Sequence, residues 1–374
     1  MEAVRALMSW NRHVITPFSG SYRPEDAIFL LKPIALERVD VVTKERLIQS
    51  GRRHYSELLA PEQAPDPHYL RLFEALTARY ARRLATEIVA LAGHLATTRS
   101  QALTVVSLAR AGTPVGALLA RALRGLGRAE VRHYSISIIR DRGIDENALK
   151  FILRQEGREP AGLAFVDGWT AKGVIAEELR RALSRWNARE PERLDETLYV
   201  VSDIGGVADV AATADDYAIP SGILNATVSG LTSRSILNAA IGPADFHGCV
   251  FYAEFAPHDR STWFLDQVAG HFATVVPIPV HGDAGERRAR REAMTAFLAR
   301  IHARYRIADR NFVKPGVAEA TRVLLRRLPD RLLLRDPAHP DVAHLRVLAE
   351  QKRVSVATDS TMPIQATALI KDLS

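Results

Sequence analysis

Short apolar runs alternating with helical stretches of ten or more residues constrain this chain more than any other feature. Between residues 103 and 201 the order is an apolar run Leu103–Leu108, a helical stretch from Pro114 to Arg124, a period-two run Val131–Ile139, a helical Glu146–Gln155, an apolar Leu163–Val166, a helical Val174–Trp186 and the run Thr197–Val201. Strands separated by helices join through crossovers rather than hairpins, so the pattern predicts a doubly wound α/β fold with a mainly parallel sheet covered on both faces. A long amphipathic helix over His68–Leu95 precedes it, with apolar residues spaced three or four apart.

Outside this block the pattern loosens. FSGSYRPEDAIFLLKPI, Phe18 to Ile34, reads as a loop leading into core, and Ser202–Gly248, rich in Gly, Ala, Asp and Ser, is either functional surface or irregular structure. A helix near Ser261–Phe272 and a strand near Thr274–Val280 are expected, then an arginine-rich helix from Ala284 to about Tyr305. A helix Val317–Arg327, a strand Arg331–Leu334, a helix Val342–Gln351 and a strand Val354–Ala357 complete a small α/β unit. These boundaries predict a main domain over 1–283, a basic connector over 284–311 and a C-terminal domain over 312–374.

The net charge of +7 is wholly C-terminal, with 18 Lys and Arg against 10 Asp and Glu from Ala284 onward. Such an excess suits a phosphate backbone, through counterion release, and equally a solvated arginine-rich helix face. No apolar run is long enough to span a membrane and the N-terminus lacks a leader pattern, so a cytoplasmic location is expected. The single cysteine, Cys249, excludes an internal disulfide and a cysteine-based zinc cluster.

Two segments carry the chemistry. In GLAFVDGWTAKGVIAEEL, Gly162 to Leu179, a strand is expected to end at Asp167, a loop of Gly168, Trp169, Thr170, Ala171, Lys172 and Gly173 follows, and a helix begins at once. Loop amides and a helix N-terminus suit a phosphate dianion, Lys172 adds charge and Thr170 a donor. Asp167, at the carboxyl end of its strand, suits a ribose hydroxyl or water-bridged Mg²⁺, with Asp203 as a second metal candidate. An ordinary strand-to-helix turn is the alternative, and neither a Walker A nor a dinucleotide spacing is present. One unit earlier, VVSLARAGTPVGALLARAL brings Arg110, Ala111 and Gly112 to a strand end, where small residues admit an anion and arginine grips its oxygens. Two such loops suggest a ligand with two separated phosphates.

Two weaker constellations remain open. Asp215, Asp216, Ser221, Gly222, Asn225, Thr227, Ser229 and Gly230 suit recognition of an acceptor or further phosphate contacts, and suit turns equally well. Cys249 follows His247 with one residue between, which on a strand places both on one face, while the apolar CVFYAEF context suits a buried small hydrophobe.

VSLARAGTPVG and LAFVDGWTAKG resemble the diphosphate and ribose-phosphate loops of type I phosphoribosyltransferases. SGSYRPEDAIFLLKPI, RDRGID (Arg140 to Asp145), DDYAIPSGILNATVSGL and DFHG resemble, over roughly residues 10 to 280, one bacterial family found with tellurite-resistance stress-response operons and labelled phosphoribosyltransferase-like or cysteine protease StiP. VKPGVAEATRVLLRR and LRVLAEQKRVSV resemble a Pelota-type RNA-binding domain. The resemblance implies Mg²⁺-dependent transfer of ribose 5-phosphate between phosphoribosyl diphosphate and an unidentified acceptor base, or the reverse cleavage. It implies that Gly168–Gly173 hold the 5-phosphate, Asp167 the ribose hydroxyls and Arg110–Gly112 the diphosphate, with Arg140 and Arg142 on a segment closing over the leaving group. Lys314, Arg322, Arg326 and Arg327 are the implied RNA contacts, a dimerising or structural appendage being the alternative. The oligomeric state, a homo-oligomer included, stays open. Type I phosphoribosyltransferases usually have a second acid after the one matched by Asp167 and a threonine at the position of Lys172; here Gly168 and lysine stand instead.

Overall fold

The computed structural model describes residues 16–36, 39–99 and 102–373; the N-terminal stretch read for a leader lies outside them. The main sheet is built from β1 (Ile28–Leu30), β3 (Thr104–Ala109), β4 (Arg132–Ile139), β6 (Leu163–Thr170), β7 (Leu198–Asp203) and β8 (Val210–Thr213), in the order β1-β4-β3-β6-β7-β8. Every pair along it is parallel; only the short β5 (Gly143–Ile144) is antiparallel, against β4. A second small pairing joins β2 (Lys32–Pro33) to β9 (Gly248–Cys249). The parallel α/β architecture expected from the alternation is therefore present.

Six longer helices matter to the site: α1 (Val41–Gln49), α2 (Pro67–Thr98), α3 (Thr113–Gly125), α4 (Glu146–Lys150, continued as a π turn over Phe151–Gln155), α5 (Val174–Arg189) and α6 (Ser261–Ala269). Asp66 caps α2 by accepting from the Tyr69 amide, and Pro67 opens the helix where its missing N–H costs nothing. The apolar stripe of α2 buries Phe73, Leu84, Ile88, Leu91 and Leu95 completely, in one core with Leu118 and Leu119 of α3 and Phe264 and Leu265 of α6. The opposite face is closed by α4 and α5, where Leu149, Ile152, Leu179, Leu183 and Trp186 pack on Phe165 and Val200.

From β3 the chain crosses to β4 on one side and then to β6 on the other. Strand order therefore reverses between β3 and β6, the usual ligand position of a doubly wound sheet.

Two expectations need correction. β6 does not end at Asp167: it runs to Thr170, because Trp169 and Thr170 keep pairing with Ser202 and Asp203 of β7. No strand forms over residues 274–280, and the nearest pairing is a bridge from His281, just beyond them, to Ala211; Pro277 and Pro279 have no N–H to give a ladder.

At the C-terminus, α7 (Ala284–Tyr305) leads into β10 (Val313–Pro315), α8 (Val317–Arg326), β11 (Pro329–Leu334), α9 (Ala343–Gln351), β12 (Ser355–Thr358) and β13 (Ala366–Ile370), with the sheet order β10-β13-β11-β12. The expected basic connector is more than a connector. Met294, Phe297 and Ile301 of α7 pack with Val313, Leu333, Met362, Ile364 and Leu369, so the helix is a layer of the C-terminal unit. Arg287 and Arg291 of α7 donate to the carbonyls of Ala208 and Gly206 beyond β7, and Arg300 and Arg304 pair with Asp359. Part of the C-terminal charge is thereby paired within the molecule.

The C-terminal unit is docked onto the main domain. The half-buried Asp216 carboxylate accepts from the amides of Val317 at 2.8 Å, Gln365 at 2.8 Å and Ala366 at 3.4 Å, thus capping α8 from outside its own unit. Arg327 makes a fork with Glu45 of α1 at 2.5 and 2.7 Å, Lys44 donates to the Arg326 carbonyl at 3.0 Å, and Tyr80 of α2 donates to Asp341.

Candidate functional site

Between the two units lies a cavity of about 780 Å³, lined by Asp167 to Ala176 apart from Gly168, by Tyr55, Glu62, Arg140, Asn225, Thr227 and Arg234 from the main domain, and by Lys314, Glu319, Arg322, Arg326 and Arg327 from the C-terminal unit. It opens over the end of β6. α5 starts into it from Gly173, whose left-handed φ of 76° sets the turn and which supplies no side-chain cap, leaving the first-turn amides to the cavity.

The Asp167 carboxyl is pushed up to about 7 by burial, against the Gly168 amide at 2.7 Å and the Arg322 charge, which favour the ionised form. Lys172 donates to the carbonyls of Arg310 and Val313, both at 2.8 Å, and is brought down to about 7 by burial and by Lys314. Arg322 lies 4.6 Å over the Trp169 ring and bonds Glu319 at 2.7 Å, while Trp169 donates to the same carboxylate at 3.4 Å. Burial works to raise Glu319, yet Arg322 and Lys314 hold it at about 2. The Lys314 ammonium has no hydrogen-bond or ion-pair partner among the described residues, and burial pulls its pKa down. Arg140 stacks on Tyr55 at 5.1 Å and donates to Asn311 at 2.9 Å.

Several sequence candidates are thus brought together, though not as the motif suggests. Gly168, Trp169 and Thr170 belong to β6, so the loop proper is Ala171–Gly173. The Arg110–Gly112 loop touches the second one through backbone: a Cβ on Gly112 would lie 2.7 Å from the Val166 carbonyl, and one on Gly168 3.2 Å from that of Ala111. It does not line the cavity. Arg110 is forked onto Glu62 at 2.7 and 3.2 Å, and the Gly112 amide is spent on the Leu108 carbonyl. Arg142 pairs with Glu57 and the Leu237 carbonyl, away from the cavity, and the Asp141 amide ties the turn to Glu178.

Among the acceptor candidates, Asn225 and Thr227 line the cavity and Gly222 abuts Trp169 and Ala318. Asp215 pairs with Arg83, Asp216 is the docking cap, Ser221 is buried, Ser229 bonds the Asn225 carbonyl, and the Gly230 amide bonds Ser261. The four expected RNA contacts, Lys314, Arg322, Arg326 and Arg327, face this cavity rather than an outer surface. Sequence reading missed Glu62 and Arg234, whose partners lie far away along the chain, and Glu319, whose charge partners Arg322 and Lys314 are near in sequence but whose contact with Trp169 is not.

The donors present do not make a resident Mg²⁺ site. Asp203 accepts from the amides of Gly205, Val207 and Ala208, Asp167 stands alone, and no group of three or more His, Cys, Asp or Glu converges among the described residues. Cys249 is fully buried and its thiol is pushed well up by burial alone; His247 turns its Nδ1 to Ser137 at 2.7 Å. No described helix is long and apolar enough to cross a membrane.

The family described as tellurite-like stress resistance cysteine protease StiP matches residues 20–269, and the PELOTA RNA binding domain matches residues 292–372. The cysteine protease StiP of Acinetobacter baylyi is 40% identical over 369 residues, 95% of either chain. Among solved structures, the hypoxanthine phosphoribosyltransferase of Trypanosoma cruzi aligns at 16% identity and a TM-score of 0.27, over 36% of this chain and 77% of its own. A glutamine mutant made to probe an invariant aspartic acid of such enzymes aligns at 16% and a TM-score of 0.26, over the same shares. With its main domain matched from residue 20 to 269 and a relative 40% identical along nearly its whole length, the protein belongs to the StiP family and carries a Pelota RNA-binding domain at its C-terminus.

Proposed function

We propose that the cleft binds a phosphorylated ribose and that the protein acts on phosphoribosyl diphosphate at the ribosyl C1, either transferring the ribosyl group to an acceptor base or catalysing the reverse cleavage. The observation that carries this reading is the convergence, in the cavity over the end of β6, of an uncapped helix start, Lys172, Lys314 and Asp167. A phosphate on the first turn of α5 meets free amides and the two ammonium groups. Asp167, poised near neutrality, accepts the ribose hydroxyls, and the docked C-terminal unit excludes water around a developing ribosyl cation. No step here needs a side-chain nucleophile, and any Mg²⁺ arrives with the diphosphate. The C-terminal domain, by its family match, is read as binding RNA.

A second reading, a nucleotide-sensing RNA-binding regulator without turnover, is favoured by one observation: Arg110 is already neutralised by Glu62. The relatives' name would place protease chemistry on Cys249, but a buried thiol with no activating charge is a poor nucleophile. The test is diphosphate release from phosphoribosyl diphosphate in the presence of mixed bases. Release should survive Cys249→Ala and fall by about two orders of magnitude in Lys172→Ala. No release with intact binding selects the regulator; activity lost in a folded Cys249→Ala variant selects the hydrolase.

A further inference from the structure

The Arg110 fork grips Glu62 with the geometry of a bound anion. Nη2 donates to Oε1 at 2.7 Å and Nη1 to Oε2 at 3.2 Å, and the Ala226 amide donates to Oε2 at 3.2 Å. A guanidinium fork plus a backbone amide is how proteins hold phosphate oxygens. Arg110 and Glu62 side chains are only 5% and 6% exposed. Beside them, Arg326 of the C-terminal unit donates its Nε to Asn225 at 2.5 Å, one residue from Ala226, and its terminal nitrogens have no partner among the described residues. Arg234 lines the same cavity, donates to the carbonyls of Tyr55, Leu58 and Ser235 and stacks on the Tyr55 ring, with no carboxylate bonded to it among the described residues. The Thr227 hydroxyl, also lining the cavity, is buried without a partner.

Three guanidiniums thus surround one carboxylate. The charges register the imbalance: burial works to raise Glu62, yet Arg110 and Arg326 hold it below the usual carboxylate range, whereas burial and Arg110 pull Arg326 down. Glu62 rides on Ala60–Asp66, a stretch without regular structure that carries Pro61 and Pro65 between a 3₁₀ turn and α2. A strap tied at Asp66 by its capping bond can release Glu62 without unfolding a helix or strand.

We propose that Arg110, Arg234, Arg326 and the Ala226 amide form a diphosphate site shared by both domains, and that Glu62 closes it as an internal stand-in for the anion. This rests on reading the cleft as a phosphoribosyl site. A diphosphate brings more negative charge than one carboxylate, engages the free end of Arg326 and the Thr227 hydroxyl, and displaces the strap. Because Arg326 belongs to the C-terminal unit, diphosphate occupancy and docking of that unit stabilise each other.

The test is calorimetric titration of inorganic pyrophosphate into the full chain as wild type, Glu62→Gln, Glu62→Asp and Glu62→Gln with Arg326→Ala. Glutamine keeps the shape and removes the charge, so affinity should rise at least about tenfold, and Arg326→Ala should cancel the gain. Aspartate is too short to span Arg110 and Ala226, so a smaller gain is expected, which carries the test if Glu62→Gln does not fold. A folded Glu62 variant that binds pyrophosphate no more tightly, or a gain that survives Arg326→Ala, overturns the proposal. Ribose 5-phosphate, titrated in parallel, reads the Lys172 side: its failure to bind wild type would sink the sugar-phosphate reading while leaving the pyrophosphate result to stand.

Discussion

Asp167→Asn should be more stable than the wild type at about pH 8 and no more stable at about pH 4. The carboxyl is raised from an ordinary 3.8 to about 7 because burial disfavours its charged form. A group whose folded pKa is raised holds its proton better in the native state. Its favourable contribution is complete below the unfolded value and is lost as pH rises towards 7, after which the fold carries a buried charge with one amide and a distant arginine to compensate. Asparagine removes that charge and keeps the shape. Three pKa units set a ceiling of about 4 kcal/mol, and partial access to the cavity lowers the expected gain to about 1–3 kcal/mol. Denaturant midpoints at the two pH values measure it; equal stability throughout would mean that Asp167 is solvated. An acid that destabilises the fold yet lines the cleft has the signature of a functional group.

Asp216→Ala should uncouple the two units. Three amides of the C-terminal unit, including the one that opens α8, lose their acceptor in a buried place. Unsatisfied buried donors make a loss of about 2–4 kcal/mol the expectation. It should appear as an earlier, separate unfolding step for the C-terminal unit, with Asp216→Asn between variant and wild type because one amide oxygen still accepts. Ligand affinity should fall too, since Lys314, Arg322 and Arg326 reach the cleft only while docked. A single transition with an unchanged midpoint would contradict the assignment of Asp216 as a docking cap.

Asp216 also shows where sequence reading stops. In DDYAIPSG an aspartate suits acceptor or phosphate recognition and a turn equally, and only the arrival of residues 317, 365 and 366 shows it to be a cap. The same holds for Arg326 and Arg327: cationic spacing on a helix suits RNA, while Glu45 and Asn225, which draw them inward, are far away in sequence. The parallel sheet was legible because strands and helices declare themselves by local period. The extension of β6 to Thr170 was not, because it depends on pairing with β7. The burial of Cys249 was foreshadowed by its apolar neighbours, whereas β13, a short apolar run near the end, carries too little periodicity to separate strand from helix.

The most direct test of the account is calorimetric titration of phosphoribosyl diphosphate into wild type, Asp167→Ala and Lys172→Ala. Saturable binding to wild type, weakened at least about tenfold by each substitution, is the predicted result. A folded wild type that binds nothing, or binding that both variants keep, would contradict the assignment of this cleft to a phosphorylated ribose.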